Sequence, residues 1–103
     1  MSKSMELTEA ILKELMPDIV TKRGTIMKDS DLNDVTQPGG YLLATNEVKN
    51  RPSGATQYGS LLVFPGYYLA QVLIPTQAPD LYIRLKTSAS GWAKWMKFSG
   101  VYL

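Results

Sequence analysis

Residues 61–86 read LLVFPGYYLAQVLIPTQAPDLYIRLK, and this stretch decides the fold. Leu61-Leu62-Val63-Phe64 is a continuous apolar run that Pro65-Gly66 stops. Residues 67–74 form a second run, apolar on both alternating faces apart from Gln71, which is the pattern of a central strand covered on both sides. A turn-rich link from Pro75 to Asp80 leads into a clean alternation, with Leu81, Ile83 and Leu85 on one face and Tyr82, Arg84 and Lys86 on the other. Ser88-Ala89-Ser90-Gly91 then closes a hairpin onto a last strand over residues 92–98. Trp92 and Trp95 are an odd number of residues apart, so a regular strand would point them to opposite faces. No charge occurs from Pro52 to Pro79, yet this is no membrane span: Pro65, Pro75, Gly59 and Gly66 break any helix, and Gln57, Gln71 and Gln77 would need partners in lipid. Membrane insertion is not expected.

Upstream, Pro38-Gly39-Gly40 is a turn into the short apolar strand Tyr41-Leu42-Leu43-Ala44, and residues 46–57 read as a polar surface loop. Residues 18–30 are a connector in which Lys22-Arg23-Gly24 has turn character between two short strand-like runs. Residues 5–16 are good helix formers, with Ser4 placed to cap, Glu6 in the first turn and Pro17 as the stop. Met5, Leu7, Ile11, Leu12, Leu15 and Met16 fill about half of the helical wheel. In heptad terms Met5, Leu12 and Ile19 fall at a and Thr8 and Leu15 at d, a register under three heptads long and interrupted by Pro17, too short to be a coiled coil by itself. A helix of this length is marginal alone, so its apolar half packs on its own domain or on other copies; Met5, Leu12, Leu15 and Ile19 are the candidate oligomerisation residues. The expected fold class is mostly β (α+β): an N-terminal helix and connector over residues 1–28, then a small antiparallel β domain over residues 29–103.

With 103 residues the chain is one small domain, which removes only about 60–65% of its unfolded surface from water. It has no Cys and no His, so disulfides, cysteine-held zinc, thiol nucleophiles and imidazole bases are all absent. Self-association is the remaining staple. Asp29-Ser30-Asp31-Leu32-Asn33-Asp34 begins like a calcium loop, but Asp34 and Gly40 stand where Gly and Glu are required; backbone hydrogen bonding in a turn is the better role, and no metal site is assigned. No phosphate-cradling glycine motif occurs, and Glu47 and Asp80 are the only acids after Asp34, so neither a cofactor nor an enzymatic activity is expected. A net charge of +2 with scattered Lys and Arg lacks the footprint of a nucleic-acid binder. Nothing at the N-terminus reads as an export signal. The crowding of Tyr and Trp suits both a small core and a binding surface.

The order Asp31-Leu32-Asn33-Asp34, Pro38-Gly39-Gly40-Tyr41, Leu62-Val63-Phe64, Gln71, Tyr82-Ile83-Arg84, Gly91-Trp92 and Trp95 resembles the knob domain of R-type pyocin and phage tail fibres, over roughly residues 31–98. The resemblance implies a β-rich knob on a trimeric fibre or baseplate protein that helps a phage or tailocin attach to a bacterial surface glycan or protein. It implies a component of the virion tail of a phage or tailocin particle, made in the host cytoplasm. The shared motif residues, the turn formers and the hairpin Trp, are implied to be structural. The candidates for exposed receptor contacts are Tyr67, Tyr68, Tyr82, Arg84 and Trp95. The alternative is a fibre spacer or assembly connector whose aromatics all face sister subunits.

Overall fold

The computed structural model describes residues 21–77, 79–88 and 91–103. The expected helix over residues 5–16, and with it Met5, Leu12, Leu15 and Ile19, lies outside the described residues. What is described is one seven-stranded sheet and a single turn of 3-10 helix. The strands are β1 (Lys22–Ile26), β2 (Gly39–Leu43), β3 (Gly59–Phe64), β4 (Leu69–Pro75), β5 (Asp80–Ser88), β6 (Gly91–Trp92) and β7 (Met96–Ser99). β1 to β6 follow one another in spatial order, and β7 pairs with β5. Among the described residues no helix is long and apolar enough to cross a membrane.

The sheet is mixed rather than wholly antiparallel, because β1 runs parallel to β2 while every other pairing is antiparallel. The connector therefore supplies an edge strand. Lys22-Arg23-Gly24 is not a turn between two strands but an irregularity within one: Gly24, at a φ of 128°, opens the register between Lys22 and Gly24. An L side chain resists that dihedral, so glycine permits the kink. The Pro38-Gly39 turn is held by the same edge. Gly39 has a φ of 143°, a Cβ there would stand 2.7 Å from the carbonyl oxygen of Thr21, and Arg23 Nε donates to the carbonyl oxygen of Pro38.

Cross-strand register sorts the residues into two faces. On the inner face one row runs Tyr41, Leu61, Leu73, Tyr82, and the next runs Gly39, Val63, Gln71, Arg84. Leu61, Leu73 and Tyr82, with Ile26 and Leu43 from β1 and β2, close around Leu32 of the 3-10 turn to form the core. Each fully buried Leu contributes on the order of 1.5–3 kcal/mol of transfer free energy.

The polar loop of residues 46–57 is tied to this core. Leu32 N–H donates to the carbonyl of Lys49, Lys49 N–H to that of Ser30, and Val48 and Ala55 pack on the buried cluster.

The outer face is also apolar. Leu62, Val72, Ile83 and Met96 form its central row, flanked by Leu42 and Ile74 on one side and by Phe64, Ala70 and Leu85 on the other. Leu42, Ile74, Leu85, Met96 and Phe98 remain well exposed, Phe98 at 52%. Strand β4 is central in position, as its double-sided apolar pattern implies, but only one of its faces is closed by the described residues.

Candidate functional site

The site grows from the turn after β1. Asp31 caps the 3-10 turn Leu32–Asp34: its Oδ1 accepts from the main-chain N–H of Asn33 (2.8 Å) and from Nδ2 of Asn50 (2.7 Å). Those bonds, Asn50 first and then Asn33, hold the Asp31 carboxyl below its ordinary value, with Lys49 and Arg84 adding to the effect. Among the described residues no group of three or more His, Cys, Asp or Glu gathers here or elsewhere, and Asp31 works as a turn cap.

Beneath the turn lies Gln71, fully buried on β4. Its Nε2 donates to the carbonyl oxygens of Leu32 (2.7 Å) and Val35 (2.9 Å), and its Oε1 accepts from Arg84 Nε at 2.8 Å. One amide thus ties the turn to the sheet and anchors a cation. Arg84 itself is only 4% exposed. Its guanidinium carbon lies 4.4 Å from the ring centroid of Trp92 and 4.5 Å from that of Trp95, a stacked arrangement that suits a weakly hydrated planar cation. Burial pushes the pKa of Arg84 down to about 10, partly opposed by Asp31, so the group stays charged at neutral pH.

Both indoles are pinned. Trp92 Nε1 donates to the carbonyl of Asn33 (3.1 Å) and Trp95 Nε1 to that of Asn50 (2.9 Å). They meet on one cation, not on opposite faces, because the return arm leaves the ladder between them. Lys86 pairs with Trp92 and Ile83 with Met96, which gives the return arm one residue more than β5 over the same span. This bulge resets the alternation and swings Trp95 back beside Trp92.

Asn33, Asn50, Arg84, Trp92, Lys94 and Trp95, with Gly91 and Ala93, line an open cavity of about 500 Å³. Two buried polar atoms here have no partner: Arg84 Nη2 and Asn33 Oδ1.

The expected contact residues divide into three groups. Arg84 and Trp95 line this cavity, Arg84 as a buried wall and Trp95 half-buried. Tyr67 and Tyr68 stand at the β3–β4 turn, their rings edge to face with centroids 5.0 Å apart; Tyr67 is 95% exposed, and both border a different hollow beside Lys86, Thr87 and Ser88. Tyr82 is not an exposed contact: it is 2% exposed, within the core row of Leu61 and Leu73. The face of β5 carrying Tyr82 and Arg84 is the buried one, and Leu85 of the more apolar face is exposed. The sequence reading missed Gln71, Asn33, Asn50 and Trp92 as members of the site. Gln71 carried a signal as the one polar residue of its strand, Asn33 and Trp92 stood with it among the residues of the resemblance, and Asn50 carried none.

No protein-family model and no curated protein matches the chain. Among solved structures, a C-terminal fragment of the R1 pyocin fibre of P. aeruginosa is similar with a TM-score of 0.65 and 22% identity. The match takes in 78% of this chain. The fold is that of a pyocin-fibre-type domain. This chain spans 22% of the length of that fibre chain. At that identity the likeness carries the fold alone, and residue roles in this chain rest on its own geometry.

Proposed function

We propose that this chain is a knob-type domain of a phage or tailocin tail fibre or baseplate protein, self-associating as a trimer, that contributes to attachment to the bacterial surface by binding rather than catalysis. The observation that carries the reading is the recurrence of its fold in a pyocin fibre over 78% of the chain. Self-association is supported by the outer sheet face. Five strands at their usual spacing make a patch of roughly 20 by 15 Å, a size at which exposed apolar surface marks a contact site. Copies sheltering one another there would supply the staple that a chain without Cys lacks.

Linked copies also explain how weak contacts suffice. Effective concentration multiplies millimolar single contacts into firm attachment, by a factor on the order of 10²–10⁴. The Tyr67–Tyr68 pair is the exposed aromatic element suited to such a contact with a surface glycan or protein. The fibre-spacer reading is favoured by one observation, that Tyr82 is spent inside the core.

Sedimentation of labelled protein with intact bacteria tests the choice. Binding should fall several-fold in the double variant Tyr67→Ala/Tyr68→Ala while its mass and melting temperature hold. Equal binding by that variant removes the tyrosine pair as the contact, and a multimer that sediments with no cells leaves the spacer role.

A further inference from the structure

The cavity over Arg84 contains a contradiction that a ligand resolves. Folded interiors seldom leave a buried polar group without a partner, and a charged donor is the costliest to leave so. Here Arg84 Nη2 is such a donor, although Arg84 Nε is fully engaged by Gln71. A second orphan, the acceptor Asn33 Oδ1, belongs to another wall of the same cavity. The rest of the lining includes two indoles, whose apolar rings are fixed in place by Nε1 bonds to main-chain carbonyls.

The chemistry of the two orphans selects the ligand. A hydroxyl group both accepts and donates, and among uncharged groups it is the simplest match for a donor and an acceptor on side chains that line one cavity. A carboxylate would satisfy Arg84 but could only accept, leaving Asn33 Oδ1 unpaired, and it would sit close to the Asp31 carboxylate that caps the adjoining turn. Rings carrying hydroxyls on their edges and C–H groups on their faces also suit the flanking indoles. The cavity volume falls within the range of small-ligand sites, about 300–1,000 Å³.

We propose that this cavity is a binding site for an uncharged sugar unit, with Arg84 Nη2 donating to, and Asn33 Oδ1 accepting from, its hydroxyl groups against the walls of Trp92 and Trp95. This deepens the attachment reading by naming a ligand class, and it rests on that reading only for where the sugar comes from. The site is separate from the Tyr67–Tyr68 pair.

The protein carries its own probe, since Trp92 and Trp95 are its only two tryptophans. The whole chain is titrated with methyl α-glucoside, methyl α-mannoside, methyl β-galactoside and N-acetylglucosamine, with glucuronate and acetate as acidic arms. At least one neutral sugar should change the indole emission saturably, with a dissociation constant of about 1–10 mM, and added salt should leave it unchanged. Asn33→Ala should weaken that sugar about tenfold, the worth of one hydrogen bond. It keeps the fold because the main-chain groups of Asn33, not its side chain, meet Asp31 and Trp92. Should Asn33→Ala fail to match the parent's melting curve, Asn33→Ser serves in its place. Lys28→Ala, outside the cavity in an exposed pair with Glu47, should leave sugar binding within about twofold, the scale of an exposed charge.

A titration flat for every neutral sugar means that the cavity holds water only, and overturns the proposal. So does a response confined to glucuronate or acetate that Lys94→Ala and salt both weaken, since the site is then an anion site. Unchanged affinity in a well-folded Asn33→Ala places the sugar elsewhere and overturns it too. Cell sedimentation that persists while free sugars are inert leaves attachment standing and removes only this site; saturable sugar binding without cell sedimentation does the reverse.

Discussion

Replacing Gln71 with Met keeps the length of the side chain and removes every hydrogen bond it makes. Two of these are neutral, to the carbonyls of Leu32 and Val35, and one is received from the charged Arg84 Nε. Leu32 O keeps the N–H of Val35 at 3.2 Å, so its loss is partial. Taking about 1 kcal/mol for each neutral bond and about 1.5–3 for the charged one gives a destabilisation of about 3–5 kcal/mol. That is a large share of the 5–15 kcal/mol typical of a domain. At this size it corresponds to a melting temperature lower by about 15–30 °C. Urea unfolding followed by circular dichroism, at one matched protein concentration because association shifts the midpoint, measures it. The double variant Gln71→Met/Arg84→Met should lose less than the sum of the two single changes, with a coupling of about 1–3 kcal/mol, because each residue satisfies the other. A loss below about 1 kcal/mol for Gln71→Met, or strict additivity, would refute the view that this amide joins turn, sheet and cation.

Three further outcomes follow from the same geometry. The carboxyl of Asp31 titrates below its ordinary 3.8 in the fold, so its contribution is whole above that value and drains as pH falls through the folded one; Asp31→Asn, which still accepts from Asn33 N–H, should flatten the decline in urea midpoint on the acid side. Burial raises the Tyr41 phenol above 10.0, so the unfolded chain ionises first and stability falls as pH climbs from there; Tyr41→Phe should hold its melting temperature better than the parent at alkaline pH. Gly39→Ala forces a Cβ to within 2.7 Å of Thr21 O at a φ of 143°, and should cost about 1–3 kcal/mol in thermal unfolding.

Much of the sheet could be read from the chain because its signals are local. The Pro-Gly stops, the apolar runs of β3 and β4 and the alternation of β5 each lie within a few residues, and β3 to β5 occupy the stretches those signals mark. Which face of β5 is buried could not be read locally. Leu81, Ile83 and Leu85 are the more apolar set, but burial follows the neighbours: Leu61 and Leu73 draw Tyr82 inward in one row, and Gln71 draws Arg84 in the next. Burying Arg84 depends on Gln71, thirteen positions away, and on two indoles beyond a hairpin. The convergence of Trp92 and Trp95 failed to show for a similar reason. One inserted residue inverts every later parity, and no residue type announces a bulge in a stretch without glycine. The same holds for β1, where the kink at Gly24 looked like the turn that glycine more often makes.

The two sides of the sheet divide the labour under the proposed function, the inner closing the domain and the outer meeting copies of the chain. Light scattering of the whole chain over a wide dilution range measures this most directly, beside a variant with Ile74→Lys and Leu85→Lys, two exposed outer positions. The parent should scatter as three 11.4 kDa chains, and the lysine variant as a single chain with an unchanged β spectrum. A parent that remains at 11.4 kDa at every concentration, or a variant whose mass does not fall, would rule out the proposed trimer.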